Sequence, residues 1–81
     1  MWQEENNKLK ASFEFANFTE AFSFMTAVAI EAEKMNHHPE WSNVWNKVHF
    51  QLCTHDAGNT VTDKDIKLAQ KIDAIYKKYT S

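Results

Sequence analysis

Hydrophobic residues take every second position from Leu9 to Phe15: Leu9, Ala11, Phe13 and Phe15 interleave with Lys10, Ser12, Glu14 and Ala16. A period of two is that of a strand with one buried face. Asn6-Asn7 just before it is a turn signal, which predicts a short partner strand over Trp2 to Glu5. At Asn17 the period lengthens. Phe18, Ala21, Phe22, Met25, Val28, Ala29 and Ala32 recur at helical spacing, with Asn17 and Glu20 set as a capping box and Thr19 as a rival N-cap. The helix is predicted to run to about Asn36 and to be stopped by the His37-His38-Pro39 turn. Its other side carries Phe24, Ala27 and Ile30. A helix apolar on two stripes needs more cover than one small sheet provides, which predicts a partner helix from another subunit.

A hairpin follows, with strands over Ser42 to Trp45 and Val48 to Thr54 joined at Asn46-Lys47. Val48, Phe50 and Leu52 point one way; His49, Gln51, Cys53 and His55 point the other. Asp56 to Thr60 reads as a loop holding the only glycine. Thr62 caps a last helix whose buried stripe is Leu68, Ala69, Ile72, Ile75, Tyr76 and Tyr79. The order strand, strand, helix, strand, strand, helix predicts one α+β domain over residues 1–81. It is a four-stranded antiparallel sheet with helices packed on one face.

Composition narrows the function. Nine basic and eleven acidic residues give a net charge of -2, and no basic block is present, which argues against direct nucleic acid binding. No apolar run is long enough to span a membrane, and the first seven residues lack the basic and apolar regions of a signal peptide. The single Cys53 allows no internal disulfide. These features fit the cytoplasm.

Three of the four histidines, His37, His38 and His55, fall between Glu33 and Asp65. Histidine is the side chain that most readily exchanges protons near neutral pH. His37 and His38 are consecutive, so their rings diverge, and Pro39 keeps His38 out of the helical region. His55 ends a strand and can approach the pair in space. Glu33 lies one helical turn before His37, in reach to tune its protonation, or else pairs with Lys34 or Lys10. Asp65, at the third position of a helix, is either a helix-stabilising acid or part of the site. Trp41 and Trp45 are either stacking platforms for a flat heterocycle or core. Zinc is disfavoured, because adjacent histidines rarely share one ion and neither His-x-x-x-His nor Cys-x-x-Cys occurs. Cys53 has no obvious base beside it.

These residues bring a family into view. Glu33 is followed by three residues and His37-His38-Pro39, then Trp45, His55 and Asp65. Around them stand Ala21-Phe22-Ser23-Phe24-Met25-Thr26, Asn46-Lys47-Val48-His49 and Asp65-Ile66-Lys67-Leu68-Ala69. In this spacing the chain resembles the pterin-4a-carbinolamine dehydratases, from Trp2 to near the C-terminus. Animal members of that family double as dimerisation cofactors of a homeodomain transcription factor. Family members usually carry a further N-terminal helix, animal members have Asp where Asn36 stands, and the loop from Asp56 to Thr62 is about one residue longer here.

The resemblance implies a hydro-lyase acting on a 4a-hydroxy-tetrahydropterin in tetrahydropterin recycling, with no metal or redox cofactor. It implies His37 and His55 as acids on opposite faces of the pterin. His38 would orient the substrate or take the N5 proton, with Glu33, Asp65 and Trp41 binding substrate or tuning protonation. It implies a homotetramer built through the first long helix, a dimer being the alternative. The competing reading is a non-enzymatic interaction or assembly module on the same fold.

Overall fold

The computed structural model describes residues 1–80. Strands β1 (Gln3–Glu5) and β2 (Lys8–Glu14) precede helix α1 (Phe18–Met35); strands β3 (Glu40–Val44) and β4 (Lys47–Leu52) precede helix α2 (Asp63–Thr80). A single 3-10 turn, His55–Ala57, lies between β4 and α2. All strand pairs are antiparallel, in the order β1-β2-β4-β3. The expected α+β architecture is the one observed. The register pairs Ala11 with Phe50 and Phe13 with Val48, so one face of the central strands is wholly apolar. That face packs on Ala21, Phe24, Val28 and Ala32 of α1 and on Leu68, Ala69 and Ile72 of α2. The opposite face shows Ser12, Glu14, Lys47, His49 and Gln51 to solvent.

Local chemistry sets the boundaries of α1. Asn17 is the N-cap, with extended backbone, and its Oδ1 accepts the Glu20 amide at 2.9 Å. The Glu20 carboxylate reaches back to the Ala16 amide at 3.2 Å. At the other end Asn36, and not the His-His-Pro turn, stops the helix. It adopts the left-handed conformation (φ 52°, ψ 40°), which asparagine tolerates better than most residues. The Asn36 amide then bonds Glu33 O at 3.0 Å and the His37 amide bonds Ala32 O at 3.1 Å, a Schellman closure.

Two expectations are corrected by packing. The spacing puts Phe24 on the outer stripe of α1, yet it is fully buried against Phe13, Phe15 and Phe50. Phe18 and Phe22, assigned to the inner stripe, are 47% and 56% exposed. Both stripes have helical spacing, and the aromatic layer of the sheet selects the one that fits. The second correction is the hairpin turn, which is Trp45-Asn46, one residue earlier than expected, since Val44 pairs with Lys47. Asn46 is drawn inward, donating to Phe15 O at 2.8 Å and accepting the Phe15 amide at 2.9 Å. Trp45 therefore takes the left-handed position (φ 50°), and Asn43 closes the turn onto the carbonyls of Trp45 and Lys47.

Candidate active site

Three local devices bring separate segments to one place. The left-handed turn at Asn36 swings the chain off α1, so that His37 folds under the domain and is buried. The end of β4 delivers Cys53 and Thr54, and the 3-10 turn after it begins with His55. The first turn of α2 supplies Asp65, which is fully buried. Between them lies a cavity of about 350 Å³ lined by His37, His38 and Pro39 on one segment and Cys53, Thr54 and His55 on another. Asn36, Glu40, Asp56 and Lys64 complete it. That volume lies in the range of small-molecule pockets, about 300–1,000 Å³.

Each histidine has one ring nitrogen tied down. His37 Nε2 meets Asp65 Oδ1 at 2.6 Å. His38 Nε2 meets Glu33 Oε1 at 2.8 Å. His55 Nδ1 meets Asn59 Oδ1 at 2.7 Å. The Asn59 carbonyl oxygen can only accept, so His55 donates through Nδ1 and keeps Nε2 for other work. Asn59 reaches it because Gly58 and Asn59 both adopt left-handed backbone (φ 86° and 60°). Glu33 thus serves His38 and not His37, contrary to the one-turn spacing argument. The physical reason is the Asn36 turn, which carries His37 away from the helix face that bears Glu33.

Asp65 makes the helix-start contact and also reaches His37. Its Oδ2 accepts the Thr62 amide at 2.8 Å, the helix-start bond that the spacing suggests. The same carboxylate accepts from Thr54 Oγ1 at 2.8 Å and from His37. Burial pushes its pKa up, but donors from His37, Thr62 and Thr54 outweigh that and hold it below the ordinary 3.8. Asp65 is therefore a carboxylate at neutral pH.

Trp41 does not line the cavity; it is half-buried and packs on Phe50 with ring centroids 5.6 Å apart. Trp45 sits exposed at the hairpin tip, away from the cavity lining. No group of three His, Cys, Asp or Glu side chains among the described residues is placed to hold a metal ion. No helix among them is long and apolar enough to cross a membrane. Sequence reasoning passed over Thr54 and Lys64. The signal for Thr54 was its position just before His55, with a second threonine, Thr62, three residues ahead of Asp65.

The comparisons agree in direction. A family model described as Pterin 4 alpha carbinolamine dehydratase matches residues 1–75. A protein of Synechococcus sp. (strain WH7803), named "Putative pterin-4-alpha-carbinolamine dehydratase", is 53% identical over 74 residues, which is 91% of this chain and 78% of that one. One of the same name from Burkholderia pseudomallei (strain K96243) is 58% identical over 69 residues, 85% of this chain and 67% of its own. The crystal structure of a transcriptional coactivator/pterin dehydratase from Brucella melitensis superposes with a TM-score of 0.87 at 46% identity, covering 91% of this chain and 80% of that one. A pterin dehydratase-like protein identified as a RuBisCO assembly factor in the alpha-carboxysome shares the fold, with a TM-score of 0.74 at 21% identity over 93% of this chain and 86% of its own.

Proposed function

Since the chain belongs to the pterin-4a-carbinolamine dehydratase family, we propose that it removes water from a 4a-hydroxy-tetrahydropterin to give the quinonoid dihydropterin. The observation that carries this reading is the cavity shared by His37, His38 and His55, with His37 held by buried Asp65. The 4a-hydroxyl is a poor leaving group until it is protonated. N5 loses its proton as the C4a=N5 bond forms, and the carbinolamine has then lost one water with no net redox change. Positioned acids and bases suffice, each contributing about 10²–10⁴-fold. In this reading His37 and His55 are the acids, on opposite faces of the ring. His38 orients the substrate or accepts the N5 proton, and Glu33 and Asp65 hold the rings. The setting is the cytoplasm, where a reductase would return the product to the tetrahydro state. The test is stopped-flow dehydration of 4a-hydroxy-tetrahydropterin by the purified chain. A rate clearly above the spontaneous one is expected; a background rate would overturn the reading and leave the interaction module in front.

The proposal includes a homo-oligomer, a tetramer before a dimer, built through the outer stripe of α1. Phe18, Phe22 and Ile30 are each about half exposed on that helix, and exposed side chains of that size are costly to leave in water. Phe22→Glu should shift the chain to a smaller species in sedimentation while circular dichroism stays native. Phe24→Glu, in contrast, should unfold it, because that ring is in the core. A wild-type monomer at micromolar concentration would count against the assembly.

A further inference from the structure

Thr54 is buried, and its hydroxyl lies between two partners, Asp65 Oδ2 at 2.8 Å and Thr62 Oγ1 at 2.6 Å. A threonine hydroxyl has one proton to give. Asp65 as a carboxylate can only accept, so that proton goes to Asp65, and the Thr62 hydroxyl must donate to Thr54. The chain of bonds thus has one direction: Thr62 to Thr54, Thr54 to Asp65. From the other side the carboxylate accepts His37 Nε2–H at 2.6 Å. Thr54 also anchors the loop that bears His55. Its amide donates to Thr60 O at 2.8 Å, and its carbonyl accepts the Asn59 amide at 3.1 Å.

We propose that Thr54 is a positioning residue for dehydration: by orienting Asp65 it fixes the proton of neutral His37 on Nε2, so that Nδ1 is the atom that exchanges a proton with the pterin. The inference rests on the dehydratase reading for its substrate, but not for its physical test. Without the Thr54 hydroxyl, Oδ2 keeps the Thr62 amide alone. The carboxylate is then held by one bond fewer, and the Nε2–H form of His37 loses part of its advantage over the Nδ1–H form.

The test is a long-range proton–nitrogen correlation spectrum of the full chain labelled with nitrogen-15 histidine, at a pH where imidazole is neutral, about 8. His37→Gln assigns the His37 signals. Wild type should show His37 as the Nε2–H tautomer. Thr54→Val, nearly the same in shape, should populate the other tautomer and lower kcat about tenfold with little change in KM, part of the ~10²–10⁴-fold of a positioned acid, since His37 itself stays in place. Thr54→Ser should restore both. A folded Thr54→Val with the wild-type spectrum and rate overturns the proposal. So does a wild-type His37 protonated on Nδ1, which decides the matter even if Thr54→Val does not fold. A wild-type chain with the expected spectrum but no dehydration would remove the function and leave the tautomer control standing.

Discussion

Dehydration by His37→Gln and by His55→Gln is expected to fall at least about tenfold each, less than the full ~10²–10⁴-fold of a general acid because the other histidine still serves one face of the ring. The double variant should approach the spontaneous rate. Glutamine is chosen over alanine at position 37 because His37 is buried on Asp65. Alanine would leave a buried carboxylate short of a donor and confuse catalysis with folding. A glutamine amide still offers an N–H to Asp65 but cannot exchange protons near neutral pH. His55 is exposed, and its one side-chain bond is to Asn59, so either substitution should leave the fold intact there. If the acids serve opposite faces, each single variant should mainly lose one stereoisomer of the 4a-alcohol. Following each isomer separately by stopped flow, with circular dichroism as the control, reads this directly. A folded double variant at the wild-type rate would refute the assignment.

A large stability effect is expected at Asp65. In Asp65→Asn the amide nitrogen replaces one acceptor oxygen among the donors that now converge on the carboxylate, from His37, Thr54 and Thr62. The bonds to a charged acceptor are lost, and at least one buried donor must turn its proton elsewhere or stay unpaired, which should cost about 3 kcal/mol. For a domain of this size that lowers Tm by roughly 12–24 °C. The wild-type chain should show the same dependence through pH. The folded pKa of Asp65 lies below its ordinary 3.8. Its contribution is therefore complete above that value and is lost as the pH falls through the folded pKa. Thermal melts at pH 7 and at about pH 3 should differ more for wild type than for Asp65→Asn. Equal acid sensitivity of the two would show that Asp65 is not the group responsible. Glu33→Gln makes the contrast, since the exposed Glu33–His38 pair is worth at most about 1 kcal/mol.

The sequence by itself determined the elements and set three histidines and an aspartate in one motif. The period of two in β2 and β4, the helical spacing after Asn17 and Thr62, and the single antiparallel-sheet topology they imply are local properties of the chain. So is the grouping of His37, His38, His55 and Asp65 in family spacing. What it did not determine was which side chains meet. Glu33 and His37 are neighbours by helical count, but one left-handed residue, Asn36, turned the chain and gave His37 to Asp65 and His38 to Glu33. Phe22 and Phe24 fit two stripes of one helix, and only the aromatic layer of β2 and β4 selected Phe24 for the core. Asn46 is a turn residue as expected, but its bond to Phe15, just past the end of β2, set the turn at Trp45-Asn46. Periodicity reports whether a position is apolar in its own element, and that is encoded locally. Partner choice depends on the direction in which the chain leaves each element and on the shape of the surface it meets. Both are set by contacts between residues far apart in sequence, so only the tertiary structure decided them.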